Sequence, residues 1–239
     1  MIATAALVLA MTSADAVATL LNSPNASDSR TYEEARKTVS QEAAEGKPLQ
    51  QFVIGVTTDD KELAKSYLDA SRGKIKVLAE QKDNPLAWYL LSLETNNMDM
   101  LRKAAARDNV QALNALGTIE MSQAFSPASG MSTNDLPAVM KRCFILFRRA
   151  ADLKDPNGYI NIGTCYLRGL GCDKNLKLAF ECFSAAANAG HPEGMDNVSA
   201  CYQFGHGVEK DAELSLVWAM RGRAARGDEA AAKWLRDRK

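Results

Sequence analysis

Two short segments hold the residues best suited to chemistry, "CYLRGLGCDKN" at 165–175 and "CYQFGHGVEKD" at 201–211. Each contains a Gly-x-Gly followed by a lysine, Lys174 in the first and Lys210 in the second. Glycines that open a backbone concavity beside a lysine are the ingredients of a phosphate cradle. A nucleotide loop, however, needs Gly-x4-Gly-Lys-Ser/Thr, and a dinucleotide turn needs three glycines between a strand and a helix. Neither pattern is present, and no strand-like run precedes either segment. The second segment also copies the first 36 residues later, with cysteine, tyrosine, both glycines and lysine in register. A phosphate site has no reason to recur at a fixed period, whereas a structural turn does.

The other reactive residues are read the same way. Cys143, Cys165, Cys172, Cys182 and Cys201 include no Cys-x-x-Cys pair, and His191 and His206 are the only histidines. A zinc site of the usual local spacing is therefore not expected. Cys165 and Cys201 lie beside tyrosines in apolar stretches, where a free cysteine packs as a small hydrophobe. A disulfide framework has no obvious pairing. His191 falls at a repeat junction and His206 inside a glycine turn, and both read as polar loop residues without convergent partners. No Ser-His-Asp, Cys-His or paired-carboxylate arrangement stands out, so no catalytic residue, metal ligand or cofactor is assigned. Trp88, Trp218 and Trp234 fall at core-facing helical positions. Basic and acidic residues balance at 29 each, which gives no sign of a nucleic-acid or anionic-membrane partner. The C-terminal arginines and lysines are interspersed with Asp228, Glu229 and Asp237, as on a solvated helix face.

The elements that must position these residues follow from the period. Pro156-Asn157-Gly158 aligns with Pro192-Glu193-Gly194, and from there Ile162 meets Val198, Tyr166 meets Tyr202 and Leu178 meets Leu214 without a gap. A first helix is predicted from Pro156 to Leu167, with proline in its first turn, where the missing N–H costs nothing. A second is predicted from Leu176 to Ala189, ending at Gly190. Tyr159, Ile162 and Tyr166 share one helical face, as do Leu176, Phe180 and Phe183, so two apolar stripes meet in a helical hairpin. "ALNALG" at 112–117 answers "GYINIG" at 158–163, and an insertion at 121–137 carries Phe125. "NPLAWYLLSLE" from Asn84 and "LRKAAARDN" read as a short hairpin without the glycine loop. Lys47 opens another unit, with its second helix around Tyr67 to Ala79, and Tyr32 to Pro48 reads as a second helix ahead of it.

The pattern Asn161-Ile162-Gly163, Tyr166, Gly169-Leu170-Gly171, Lys174, Ala179 and Ala186-Ala187 resembles the Sel-one-like repeat, a relative of the tetratricopeptide repeat. Asn197-Val198, Tyr202, Gly205-His206-Gly207-Val208, Lys210-Asp211 and Trp218 repeat it. Ser199 departs from the usual glycine and Cys172 from the usual valine. The resemblance implies an all-α fold, an α/α solenoid in which about five antiparallel helix hairpins form a right-handed superhelix. It divides the chain into degenerate hairpins at 19–84, repeats at 85–227 and a capping helix at 228–239. It also implies a protein or peptide partner held on the concave face of a non-catalytic adaptor. In that superfamily first helices line this face and an asparagine holds the bound backbone, which points to Asn161 and Asn197. A contact with the neighbouring repeat is the other use for those amides. Phe125 is a third candidate, because long insertions in repeats project from one face and meet partners. Some exported cysteine-rich members bind or hydrolyse β-lactams, but they carry a cysteine pair bridging two helices that is not reproduced here; a cell-wall glycan ligand is a further alternative.

Residues 1–18 carry two readings. An apolar run from Ile2 to Met11 followed by Ala14-Asp15-Ala16 and Ala16-Val17-Ala18 has the form of an export signal, lacking only a basic start. Counting back 36 residues from Pro48 gives Thr12, so the same stretch also fits a first solenoid helix. The run is too short to span a bilayer as a helix, so no integral membrane segment is expected. A periplasmic or secreted protein is the expectation, and a cytoplasmic one the alternative.

Overall fold

The structure is a computed structural model that describes residues 17, 20, 21, 30–127 and 130–238. Among the described residues there are twelve α-helices and no strand. Val17, Leu20 and Leu21 are helical and buried, but the expected signal or leading helix otherwise lies outside the described residues. The chain divides between Asn97 and Met98 into two compact units. That division falls inside the stretch predicted as a short hairpin from Asn84, whose two helices belong to different units.

The first unit contains α1 (Arg30–Ala44), α2 (Pro48–Thr57), α3 (Lys61–Lys82) and α4 (Pro85–Thr95). Pro48 and Pro85 open their helices in the first turn. The α3 helix starts earlier than Tyr67 because Asp60 accepts the N–H groups of Glu62 and Leu63 at 3.1 and 3.0 Å, satisfying two donors that the helix start leaves open. Helix α2 packs against α1 and α3, and α4 against α3 and α2, burying Val39, Phe52, Val53, Ile75 and Leu90. Trp88 is buried as expected, with its indole N–H donating to the Asp83 carboxylate at 3.3 Å.

The second unit runs through α5 (Met98–Ala106), α6 (Val110–Phe125), α7 (Leu136–Asp152), α8 (Pro156–Arg168), α9 (Leu176–Asn188), α10 (Pro192–Phe204), α11 (Ala212–Ala225) and α12 (Glu229–Asp237). It is an all-α solenoid in which α6–α7, α8–α9 and α10–α11 are antiparallel hairpins and each second helix packs on the next first helix. The 36-residue period is visible in the starts of α8 and α10 and again in those of α9 and α11. Helix starts are sealed by short polar side chains: Asn109 accepts from Ala112 N–H at 2.8 Å, Asp155 from Gly158 at 2.8 Å, and Asn175 from Leu178 at 3.0 Å.

Within the hairpins α6–α7 and α8–α9 a glycine of the first helix faces a phenylalanine of the second. A β-carbon on Gly117 would lie 2.5 Å from Phe147 Cε1, and one on Gly163 would lie 2.7 Å from Phe183 Cε1. The third hairpin departs at both places, since Ser199 follows Gly163 by 36 residues and Ala219 follows Phe183 by 36. The volume gained on one helix is given up on the other, and Ser199 Oγ bonds the Ser215 carbonyl at 2.8 Å. Between hairpins the small residues Gly158 and Gly194 lie against Ala150–Ala151 and Ala186–Ala187. Phe144–Tyr166 and Phe180–Tyr202, again 36 apart, stack edge to face at 5.5 and 5.6 Å.

Candidate functional site

The Gly-x-Gly loops are joints, not cradles. After α8 the chain turns back on itself: Gly169 and Leu170 N–H groups donate to the Cys165 carbonyl at 2.8 and 3.0 Å, and Asn175 N–H donates to the Tyr166 carbonyl at 2.8 Å. The second glycine then bears on the preceding repeat. Gly171 has φ +73°, and a β-carbon there would lie 2.5 Å from the carbonyl carbon of Met140 on α7. Gly207 has φ +77° and stands 2.6 Å, by the same measure, from the carbonyl carbon of Leu176 on α9. Only glycine takes this left-handed conformation while a foreign backbone approaches so closely. Lys174 and Lys210 are exposed beside these joints.

The candidate binding residues lie on the first helices. Helix α6 touches α8 and α8 touches α10, whereas the second helices make no comparable contact with one another. The first helices therefore line the tighter, inner side of this unit. The Asn161 amide donates to Asn114 Oδ1 at 3.0 Å, and the Asn114 amide donates to Asp155 Oδ2 at 2.7 Å and to the Val110 carbonyl at 3.0 Å. Asn161 thus performs the inter-repeat role held open above, while keeping part of its hydrogen-bonding capacity. Asn197, half-buried at the equivalent place, makes no side-chain hydrogen bond among the described residues.

Helical spacing extends each amide into a stripe. Residues seven or eleven apart return to the same face of a helix. Asn197 therefore shares a face with Phe204, Asn161 with Arg168, and Asn114 with Phe125. Phe204 is 55% exposed and Phe125 54%, unusual for aromatic side chains, and Arg168 is exposed between them in the row of helices. Phe125 ends α6 itself, so the first residues of the predicted insertion are helix and the connection narrows to 126–135. Sequence reasoning missed Asn114, because in the alignment of 112–117 with 158–163 it stands opposite Ile160, one place before Asn161. It also missed Phe204, for which the seven-residue spacing from Asn197 was the available signal.

Burial weakens the thiols as nucleophiles near neutral pH. Burial pushes the Cys143, Cys182 and Cys201 thiols up to about 11, and Cys165 up to about 12. Protonated thiols are poor nucleophiles. His206 stacks on Phe204 with ring centres 5.7 Å apart. His191 differs from the loop residue expected: it occupies the N-cap place of α10, caps nothing, and its Nδ1 is buried without a hydrogen-bond partner. Burial holds its pKa below the usual histidine value. Trp218 and Trp234 are half-buried rather than enclosed, each with an arginine guanidinium over its ring, Arg221 at 4.5 Å and Arg238 at 4.7 Å. Among the described residues no group of three metal-ligating side chains converges, and no helix is long and apolar enough to cross a membrane.

The joint glycines, the paired small residues and the 36-residue spacing coincide with a family match: the Sel1 repeat family fits residues 130–155, 156–191 and 192–219. Three consecutive segments of the chain thus match the Sel1 repeat. The first Sel1 match takes in α7, the second α8 and α9, and the third α10 with the first half of α11. Among solved structures the chain is similar to a Sel1 repeat protein from Oxalobacter formigenes, with 21% identity over 54% of this chain and 90% of that one, at a TM-score of 0.45. It is also similar to c5321, a protective antigen of uropathogenic Escherichia coli strains displaying an SLR fold, with 18% identity and a TM-score of 0.49. That match covers 93% of this chain and 50% of c5321, so the chain spans half the length of that protein. No curated protein matches the chain.

Proposed function

We propose that the protein is a non-catalytic docking scaffold that takes an extended protein segment across the first helices α6, α8 and α10. The observation that carries this reading is the pairing, on each first helix, of a central amide with an exposed end residue on the same face: Asn114 with Phe125, Asn161 with Arg168, and Asn197 with Phe204. A carboxamide both donates and accepts, so a row of them matches the alternating N–H and C=O groups of an extended backbone. Asn161 and Asn114 bond each other and set the row, and Asn197 presents its whole amide to the ligand. Phe125 and Phe204 supply apolar contact at the rim, where exposed aromatic side chains anchor partners. Arg168 between them favours an acidic side chain in the bound segment. A non-catalytic role is supported by the glycine loops serving as joints. An export route, as the first eighteen residues suggest, would place this docking in the periplasm or outside the cell.

The test is affinity capture from the native cell with the unaltered protein and an Asn197→Ala, Phe204→Ala variant in parallel. The expected result is one or more specifically captured proteins that the double variant loses while its helix content and melting temperature stay unchanged. An identical captured set with both proteins would remove the first-helix face from consideration.

A further inference from the structure

Cys143, Cys165 and Cys172 meet at the junction of α7 and α8, beside the α8 residues Asn161 and Arg168 assigned to docking. Cys143 and Cys165 are fully buried in one apolar cluster, and half-buried Cys172 and Cys182 pack against it, Cys172 from the 169–175 loop and Cys182 from α9. The backbone dictates that meeting. The 169–175 loop is tied at one end to the Cys165 carbonyl and at the other to that of Tyr166, so Cys172 sits mid-loop over the last turn of α8. Gly171, immediately before it, bears on Met140 of α7, one turn from Cys143. The next repeat shows the same convergence with other side chains. Positions 36 residues later are Ala179, Cys201 and Val208, and these too share one cluster. Thiols thus occupy all three places of a contact that the repeat builds anyway.

We propose that Cys172 and Cys165 form a redox-sensitive disulfide that pins the glycine joint to α8 when a peroxide-class oxidant reaches the loop. Cys172 is the entry point, because it alone of the three reaches the surface. Its thiolate attacks one peroxide oxygen; an S–O bond forms, the O–O bond breaks, and the departing hydroxide takes up a proton as water. The Cys165 sulfur then attacks the Cys172 sulfur. The S–S bond forms as the S–O bond breaks, and the Cys165 proton leaves with the hydroxyl group as a second water. Two thiols lose two electrons and one peroxide becomes two waters. Burial and then the charge of Asp173 raise the Cys172 pKa, so the reaction accelerates as pH rises and more thiolate forms. Burial raises Cys165, with Cys172 and Cys143 adding to it in that order, as expected for thiols in one cluster. The joint that closes is the one that seats α8 on α7, so oxidation stiffens the stacking of the repeats.

The experiment uses the full chain, reduced and then exposed to hydrogen peroxide, alkylated and digested with trypsin. Cleavage after Lys154, Arg168 and Lys174 places Cys165 in peptide 155–168 and Cys172 in peptide 169–174. The expected product is these two peptides joined, two hydrogens lighter than their sum and separated by reductant. Amide exchange over 169–175 slows in the oxidised protein. Cys172→Val copies Val208 of the next repeat; it is expected to fold, to yield no linked peptide and to show no change in exchange on oxidation. Cys172 found unmodified, oxidised without a partner, or joined to Cys143 or Cys182 overturns the proposal.

Discussion

His191 stands where the preceding repeat has Asp155, and the two show what one side chain decides at a helix start. Asp155 accepts an N–H and also holds Asn114, whereas His191 leaves its own Nδ1 buried and unbonded. An asparagine there can accept the Gly194 N–H as Asn109 accepts that of Ala112. His191→Asn is therefore expected to stabilise the protein by about 1 kcal/mol, read from urea or thermal unfolding. It also changes the pH dependence. Burial lowers the folded-state pKa of His191, so the unfolded chain binds the proton more readily. Stability is then complete above the unfolded value of about 6.5 and falls as pH drops through it towards the lower folded value. The loss in that window should be smaller in the asparagine variant; equal slopes would show that His191 does not titrate on unfolding. Sequence placed this residue at a repeat junction correctly, but chain spacing carries no information on which ring nitrogen finds a partner.

At the scale of elements, the helix contacts work as matched volumes, and Ser199 with Ala219 supplies a ready control for Gly163 with Phe183. Placing serine at Gly163 drives its β-carbon into the Phe183 ring, where 2.7 Å is already too close. Gly163→Ser alone should cost about 1–3 kcal/mol through overpacking. Phe183→Ala alone should cost about 3–5 kcal/mol, since Phe183 is 1% exposed and its removal leaves a cavity. The double variant recreates the pair that the third hairpin uses, so its cost should fall well below the sum. A double-mutant cycle measures this, and strict additivity would sink the compensation idea. The joints make a stronger demand than the helix faces. Gly171→Ala combines a left-handed backbone with collision against the Met140 carbonyl, and should destabilise by at least about 1–3 kcal/mol in chemical denaturation. Gly190, also at positive φ but with open space around it, should lose less on the same change.

At the scale of the molecule, legibility in the sequence tracks how often a feature recurs. The ends of α8 and α9 fall within a residue of the expected ones, because two in-register copies separate signal from accident. Before Asn97 no glycine joint recurs, and α3 outruns its predicted bounds because a single aspartate cap fixes its start. The row of amides proposed for docking is half legible: Asn161 and Asn197 share a register, but Asn114 does not and shows its place only when α6 and α8 lie side by side. The second unit, being a stack in which each hairpin meets only its neighbours, should also fail locally. A lesion at Gly171 weakens the seat of α8 on α7 and leaves the contact of α10 with α11 intact. Amide exchange of the Gly171→Ala variant should therefore speed up most over α7, α8 and α9, and least over α11. The nearest-neighbour account predicts that gradient, because stability in a stack is a sum of local interfaces. Uniform acceleration from α6 to α12 would instead mean that the second unit unfolds as a single cooperative block.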